Sequence, residues 1–188
     1  SYAFLAEDQK SASYYSVNPI DGKILPFPFV FPHTETEVMR SILSSWKKQE
    51  ALDIQELDEE ATLNHQTWVG HHIKDLFEKK GIPFSIEEFL KISPKKAVIS
   101  TFNFTNGYLF NIGSAHLNES QKDILLRVTK VFEMTYRRFL DLKQAESQAK
   151  EAQIQLALER VRARTMAMQK SEELPEAANV LFQQMQSL

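Results

Sequence analysis

A long run of residues without proline or glycine sets the architecture of the chain. All seven prolines and five glycines lie before residue 114, with the single exception of Pro175. From Asn118 to Leu174 neither residue type occurs. Because proline and glycine are the residues that most often interrupt regular elements, this stretch predicts one long helix, or two helices with little break between them.

The first part of this helix carries a wide apolar stripe, which is typical of a helix that covers a sheet. The stripe consists of Ile124, Leu125, Val128, Val131, Phe132, Thr135, Tyr136 and Phe139. Asn118 or Ser120 is a suitable N-cap for it. We therefore expect the helix to begin at about this point and to pack on a sheet.

Beyond Phe139 the stripe narrows to spacings of three and four, the pattern of a coiled-coil seam. The seam residues are Leu142, Ala145, Ala149, Ala152 and Leu156. The same spacings continue in a shifted frame at Leu158, Val161, Thr165 and Met168, as in a coiled-coil stutter. Alanines bury little area, so the pairing should be marginal. These residues predict a homodimer through the helix, with the parallel and antiparallel arrangements both open.

The part before the long helix alternates strand and helix signals. Residues 2–4 and 14–17 are rich in aromatic and β-branched residues and predict strands, with a turn at Asp21-Gly22. In the segment 26–32, three phenylalanines alternate with prolines, which favours an edge strand. A short strand is expected within 51–57.

Helices are expected where apolar residues recur at helical spacing behind a capping residue. Thr34 or Thr36 caps the first of them. The second covers Glu59–Lys80 and ends at Gly81, and a short third helix is capped by Ser85. Residues 97–104 and 108–112 predict a β-hairpin, whose turn would use Asn106 and Gly107 at positive φ.

The composition excludes several classes of function. The chain has 22 basic and 25 acidic residues, a balance that argues against nucleic-acid binding. It has no cysteine, so disulfides and thiolate metal sites are excluded. No apolar run is long enough for a membrane span and no signal peptide is recognisable, so we expect a cytoplasmic protein without a membrane segment.

The histidines do not form a metal or catalytic pattern. His65 and His72 are two helical turns apart, and the adjacent His71 and His72 face different directions. His33 and His116 lie at the starts of elements, without the acidic neighbour of a phosphoacceptor histidine. No glycine-rich phosphate loop is present. We expect no metal, no cofactor and no catalytic residue in this chain.

Aromatic residues are the strongest indication of a ligand. Small-molecule pockets combine an apolar wall with a few polar groups. The candidate lining residues are Phe102, Phe104 and Tyr108 of the hairpin, with Trp68 and His72 of the second helix. The alternative is that these rings fill the core, as aromatic residues in sheets usually do.

Two segments resemble known signalling proteins. The hairpin at 97–114, the following Leu117-Asn118-Glu119 and the helix through residues 132–138 resemble the end of a GAF domain. Residues 157–174 are similar to a linker between sensory modules in multidomain sensor histidine kinases of Bacteroidetes type. The Asn-Lys-Phe-Asp-Glu type of cyclic-nucleotide signature is absent, so the resemblance implies sensing or dimerisation and names no ligand.

The resemblance implies an α+β fold with a GAF-like antiparallel sheet, flanking helices and a long C-terminal coiled-coil helix. Residues 1–140 would form the sensory domain, shortened at its N-terminal side, and 141–170 the signalling helix. Residues 171–188, capped by Ser171, would begin a following domain. The implied function is a cytoplasmic sensory and dimerisation module of a two-component histidine kinase. The alternative is a ligand-free dimerisation scaffold of a cyclase, phosphatase or transcription regulator.

Overall fold

The computed structural model of the chain describes residues 1–17, 25–170 and 173–186. Within them, six strands form one antiparallel sheet and five helices accompany it. The strands are β1 Tyr2–Leu5, β2 Ser11–Tyr15, β3 Phe29–Pro32, β4 Asp53–Leu57, β5 Ala97–Phe104 and β6 Gly107–Gly113. The helices are α1 Glu37–Lys47, α2 Glu59–Lys79, α3 Ile86–Ile92, α4 Glu119–Met166 and α5 Leu174–Gln186. The predicted α+β class and the long C-terminal helix are thus confirmed.

The chain divides into two compact units, Ser1–Met134 and Thr135–Leu188. The first unit contains the sheet, α1 to α3 and the first turns of α4. The second contains the remainder of α4 together with α5. The division falls within α4, slightly before the boundary expected at residue 140.

The strand order of the sheet is β3-β2-β1-β6-β5-β4. β3 lies at one edge, where the prolines that flank its phenylalanines remove no donor from a central ladder. β1 is central and pairs with β2 on one side and β6 on the other. The edge position predicted for the proline-rich segment is therefore correct.

The β5–β6 hairpin is present as predicted, but its turn does not use Asn106 and Gly107 at positive φ. Phe104 pairs with Gly107, so Gly107 is the first residue of β6 and not a turn residue. Among the described residues, positive φ occurs at Gln9, Gln49 and Gly81, and neither Asn106 nor Gly107 adopts it. Glycine is needed at 107 for another reason, since a Cβ there would lie 2.0 Å from the Ala3 carbonyl oxygen.

The helix ends follow the capping residues that the sequence offers. Thr36 accepts a hydrogen bond from the Met39 amide at 3.2 Å, and Ser85 caps α3 in the same way. α2 begins after Asp58, and Gly81, with φ of +67°, follows its C-cap residue. Side-chain acceptors at these positions satisfy amides that have no partner within the helix.

Asn118 and Gln121 form a reciprocal cap at the start of α4. The Asn118 side chain accepts from the Gln121 amide, and the Gln121 side chain accepts from the Asn118 amide, both at 2.9 Å. The start of the long helix is therefore fixed by its own sequence. The helix ends at Met166, so Met168 of the predicted seam lies beyond it. The predicted turn at Asp21-Gly22 and the predicted cap at Ser171 lie outside the described residues.

The main core lies between the sheet and helices α1 and α2. Buried side chains of the sheet, such as Phe29, Ile99 and Tyr108, pack with Ile42 of α1 and Ile73 of α2. Of the aromatic residues considered as a pocket lining, Tyr108 belongs to this core and Trp68 packs against it. This core covers one face of the sheet, and α4 packs on the opposite face.

Candidate functional site

Different helices pack on the two faces of the sheet. Residues paired across a ladder point to the same face, and successive residues alternate between faces. Tyr2 pairs with Leu109, which pairs with Phe102, so these three share one face. Ala3 and Tyr108, also a pair, point to the other. We call the first the α4 face and the second the α2 face, after the helices that cover them.

The α4 face is built around Phe132. The ring of this helical residue lies 5.2 Å from the ring of Tyr2, 5.9 Å from that of Phe4 and 5.5 Å from that of Phe104. Three aromatic partners from two different strands hold one helical side chain. Such ring contacts stabilise beyond simple area burial, so Phe132 sets where α4 sits on the sheet.

A polar contact beside Phe132 fixes the helix along its axis. The carboxylate of Glu133 accepts a hydrogen bond from the Thr105 amide at 3.1 Å and a second from the Thr105 hydroxyl. Thr105 lies in the β5–β6 turn. Because the acceptor is charged, this contact is stronger than one between neutral groups. The position of the turn and the position of α4 are therefore linked.

A groove of about 300 Å³ opens between α4 and the sheet. It is lined by Ser1, Tyr2, Phe102, Leu109, Phe110, Asn111, Leu125, Val128 and Phe132. The lining is mainly apolar, and its polar side chains are those of Ser1, Tyr2 and Asn111. A surface of this character can take an apolar side chain or a small apolar molecule.

The residues predicted to bind a ligand do not form one site. Phe102 and Phe104 point to the α4 face and are fully or almost fully buried. Tyr108 points to the α2 face. Trp68 and His72 of α2 contact Phe31 on that same face, with ring distances of 5.5 Å and 5.8 Å. The sheet separates the two groups, since adjacent residues of one strand face opposite ways, so the structure does not bring the five residues together.

Trp68 and His72 belong to a partly exposed cluster with Glu35. The Trp68 indole donates to a Glu35 carboxylate oxygen at 2.8 Å, and Nε2 of His72 lies 3.6 Å from the same oxygen. Nδ1 of His72 donates to the Trp68 carbonyl at 3.0 Å. The cluster ties α2 to the segment that precedes α1. Each polar group has a protein partner, which is the arrangement of a structural contact.

A polar cluster buried on the α2 face was not anticipated. Nε2 of His33 lies 2.8 Å from the Tyr108 hydroxyl and 3.2 Å from the Tyr14 hydroxyl, and the two hydroxyls bond to each other. Nδ1 of His33 has no partner among the described residues. Burial lowers the pKa of His33 to about 4 and raises the pKa of Tyr108 well above its usual value. The cluster is therefore neutral at pH 7.

This cluster cannot act on a substrate, because His33 and Tyr108 are both 0% exposed. Its hydrogen bonds instead join β2, β6 and the segment after β3. The signal that could have located His33 is its spacing, since Phe29, Phe31 and His33 alternate along the chain and all three are buried. The alternation that places the phenylalanines on one face extends to the histidine.

The second unit is a pair of helices. Arg164 near the end of α4 pairs with Glu176 near the start of α5, and Arg160 donates to Gln184 at 3.3 Å. Contacts in this order show that α5 runs antiparallel to the end of α4. Ala157 is 6% exposed and supports this close packing. α5 lies in the segment predicted to begin a following domain, and it belongs to the same compact unit as the end of α4.

The predicted dimer residues fall into two groups. Leu142, Ala145, Ala149, Ala152 and Leu156 are all exposed on α4. In the shifted frame, Thr165 is exposed, whereas Val161 and Met168 are half-buried within the unit that contains α5. The first group is accessible to a second chain, and the second is accessible only in part.

Within the described residues, no group of three or more potential metal ligands is found. None of the described helices combines the length and the apolar character needed to cross a bilayer. No family model, curated protein or solved structure matches the chain. The site features that remain are the α4 face, the groove beside it and the exposed seam of α4.

Proposed function

We propose that the chain is a GAF-like sensory and dimerisation module of a two-component sensor histidine kinase, acting in the cytoplasm. Its task is to pass a change in the sheet domain along α4 to an output domain. We propose no catalytic step for this chain itself. The resemblance of residues 157–174 to a signalling linker supports the type of parent protein.

The observation that carries the proposal is the continuity of α4. One helix of 48 residues runs from Glu119 to Met166. Its first turns are fixed to the sheet by Phe132 and Glu133, and its later turns expose an apolar seam. A helix extends by about 1.5 Å per residue, so α4 reaches on the order of 70 Å. In this proposal, the continuous helix is the route by which a shift at its first turns passes to its later turns.

The mechanism is a two-state docking of α4. A ligand or partner that favours one position of Phe132 among its three aromatic neighbours changes the rotation or the register of the helix. Only a difference in affinity for the two positions is needed. The alanine seam keeps the free energy of helix pairing small, so a modest difference at the sheet changes the pairing downstream.

A specific observation favours the alternative of a ligand-free scaffold. The five residues predicted to hold a ligand are divided between two faces and largely pack on other rings. A filled core of this kind needs no ligand to be stable. In that case the same dimer would position the catalytic domains of a cyclase or phosphatase, or the DNA-binding domains of a transcription regulator.

Light scattering on the complete chain tests the dimer. Replacing Ala149 and Ala152 together with Asp places like charges across the seam, which opposes pairing. The wild type should have the mass of a dimer and the double variant that of a monomer. A matched control replaces Gln144 and Ser147, which lie off the seam and are exposed, with Asp. It adds the same two charges, and this variant should remain dimeric. A wild-type protein that is monomeric at high micromolar concentration would refute the proposal.

A further inference from the structure

The groove between α4 and the sheet has walls that the fold already holds in place. All nine residues that line it belong to the unit Ser1–Met134. Phe102 is 0% exposed, and Tyr2 stacks on Tyr15 with ring centroids 4.9 Å apart. Phe132 is held by three rings of the sheet. Because these rings already have partners, the groove does not need a ligand to form its shape.

The groove is accessible beside Val128, a lining residue that is 47% exposed. The sequence predicted that Val128 would cover the sheet together with Ile124 and Val131, which are 54% and 58% exposed. Leu125 and Phe132 turn to the sheet instead. A small molecule can therefore enter from the side of Val128 while α4 stays on the sheet.

The surroundings of the groove favour a neutral ligand. None of the nine described lining residues carries a charged side chain. The α-amino group of Ser1 donates to the Phe110 carbonyl oxygen at 3.4 Å, and burial lowers the pKa of this amino group, which favours its neutral form. A charged ligand would lose part of its hydration here without gaining an opposite charge.

Asn111 supplies a polar contact for such a ligand. Its side-chain amide has no hydrogen-bond partner among the described residues, and the residue is partly exposed. An amide side chain both donates and accepts, so it can bind a hydroxyl or a ring N–H group.

The size and the lining of the groove limit the rest of the ligand. Its volume of about 300 Å³ lies at the lower end of the range of roughly 300–1,000 Å³ for small-molecule sites. Rings pack favourably on rings, and Tyr2, Phe102 and Phe132 all line the groove. One or two fused aromatic rings suit both the volume and the walls.

We propose that this groove binds a small neutral aromatic molecule of one or two fused rings that carries one hydroxyl or ring N–H group. The rings of the ligand pack against Phe102 and Phe132, and its polar group bonds to Asn111. The proposal rests on the proposed function and names the class of ligand that the module senses. Such a ligand touches both α4 and the sheet, so it stabilises the one position of Phe132 in which the groove is open.

Titration of the complete, isotope-labelled chain with β-naphthol, followed through the backbone amide signals, tests the proposal. β-Naphthoate has the same two rings with a negative charge and is the matched ligand control. Val128→Trp fills the groove with a larger side chain. Lys130→Trp adds the same side chain at an exposed position outside the lining. Asn111→Leu removes the polar contact at similar size.

We expect β-naphthol to bind with a Kd below about 1 mM and to shift the amide signals of Leu109, Asn111 and Val128. β-Naphthoate should bind at least tenfold more weakly. Val128→Trp should weaken the binding of β-naphthol at least tenfold and Asn111→Leu about fivefold, whereas Lys130→Trp should leave it unchanged.

Equal binding of β-naphthol to the wild type and to Val128→Trp would locate the ligand elsewhere and overturn the proposal. Equal binding of β-naphthoate, or no binding of β-naphthol at about 1 mM, would overturn it as well. Melting temperatures show whether Val128→Trp is folded. If it is not, unchanged binding to Asn111→Leu overturns the proposal in its place.

Light scattering on the same samples separates this site from the proposed function. A dimer that does not bind β-naphthol overturns the ligand site and leaves the proposed function standing. A monomer that binds β-naphthol in the groove supports the site and refutes the proposed function.

Discussion

Gly107 offers a sharp test of the sheet, since any side chain there meets the backbone of β1. A Cβ at 107 would lie 2.0 Å from the Ala3 carbonyl oxygen and 3.1 Å from Phe4 Cα. Ordinary carbon contacts lie at about 3.5–4 Å, so β1 would have to move away from β6 by more than about 1 Å. No rotamer change relieves the clash, because the obstructing atoms are backbone.

The cost of Gly107→Ala follows from the central position of β1. This strand pairs on both sides, so a shift at Phe4 strains the ladders to β2 and β6 together. Overpacking in a well-packed site costs about 1–3 kcal/mol and occasionally more. We expect Gly107→Ala to lower the free energy of unfolding by about 3 kcal/mol or more.

Urea unfolding followed by tryptophan fluorescence measures this loss, because both tryptophans, Trp46 and Trp68, lie in the unit that contains the sheet. Gly113→Ala is the matched control in the same strand. Its Cβ would meet nothing closer than 3.7 Å, so it should change stability by no more than about 1 kcal/mol. Equal midpoints for the two variants would show that β1 does not approach β6 as described.

Two further outcomes are expected. Burial lowers the pKa of His33 and of His65 to about 4. As the pH falls, these histidines are protonated in the unfolded chain before they are protonated in the folded chain. The stability that their neutral forms contribute is therefore complete above about pH 6.5 and is lost as the pH falls toward 4. At pH 5 each histidine should remove about 2 kcal/mol, and a urea midpoint equal at pH 8 and pH 5 would contradict this. Glu133→Ala removes the acceptor of the Thr105 amide, so hydrogen exchange at this amide should become faster. Exchange at the amide of Ser100, in the middle of β5, should not change. Unchanged exchange at Thr105 would refute the contact.

The elements themselves were largely predictable, because their signals are local. The hairpin of β5 and β6, the caps at Thr36 and Ser85 and the long helix after Asn118 each depend on residues close together in the chain. The need for glycine at 107 was correctly identified, but its cause was not. A turn conformation can be inferred from neighbouring residues, whereas the approach of Ala3 brings together positions that are distant in sequence.

The candidate site was less predictable, since periodicity identifies which residues share a face but not which face meets which partner. Trp68 and Phe102 are both aromatic and both near the sheet, yet the sheet lies between them. The burial of His33 with Tyr14 and Tyr108 likewise requires three separate segments to meet. The alternation of Phe29, Phe31 and His33 indicates the face on which His33 lies, but no local pattern identifies its partners.

The sequence by itself determined that the segment after Asn118 is helical with at most little break, because helical spacing and the absence of proline and glycine are properties of a continuous segment. Only the tertiary structure decided how the apolar stripe of α4 is divided. Leu125 and Phe132 turn to the sheet, and Ile124, Val128 and Val131 remain exposed. The reason is geometric: a helix on a flat sheet can bury only the arc that faces it, and the rotation that selects this arc is set by Tyr2, Phe4 and Phe104 from distant strands.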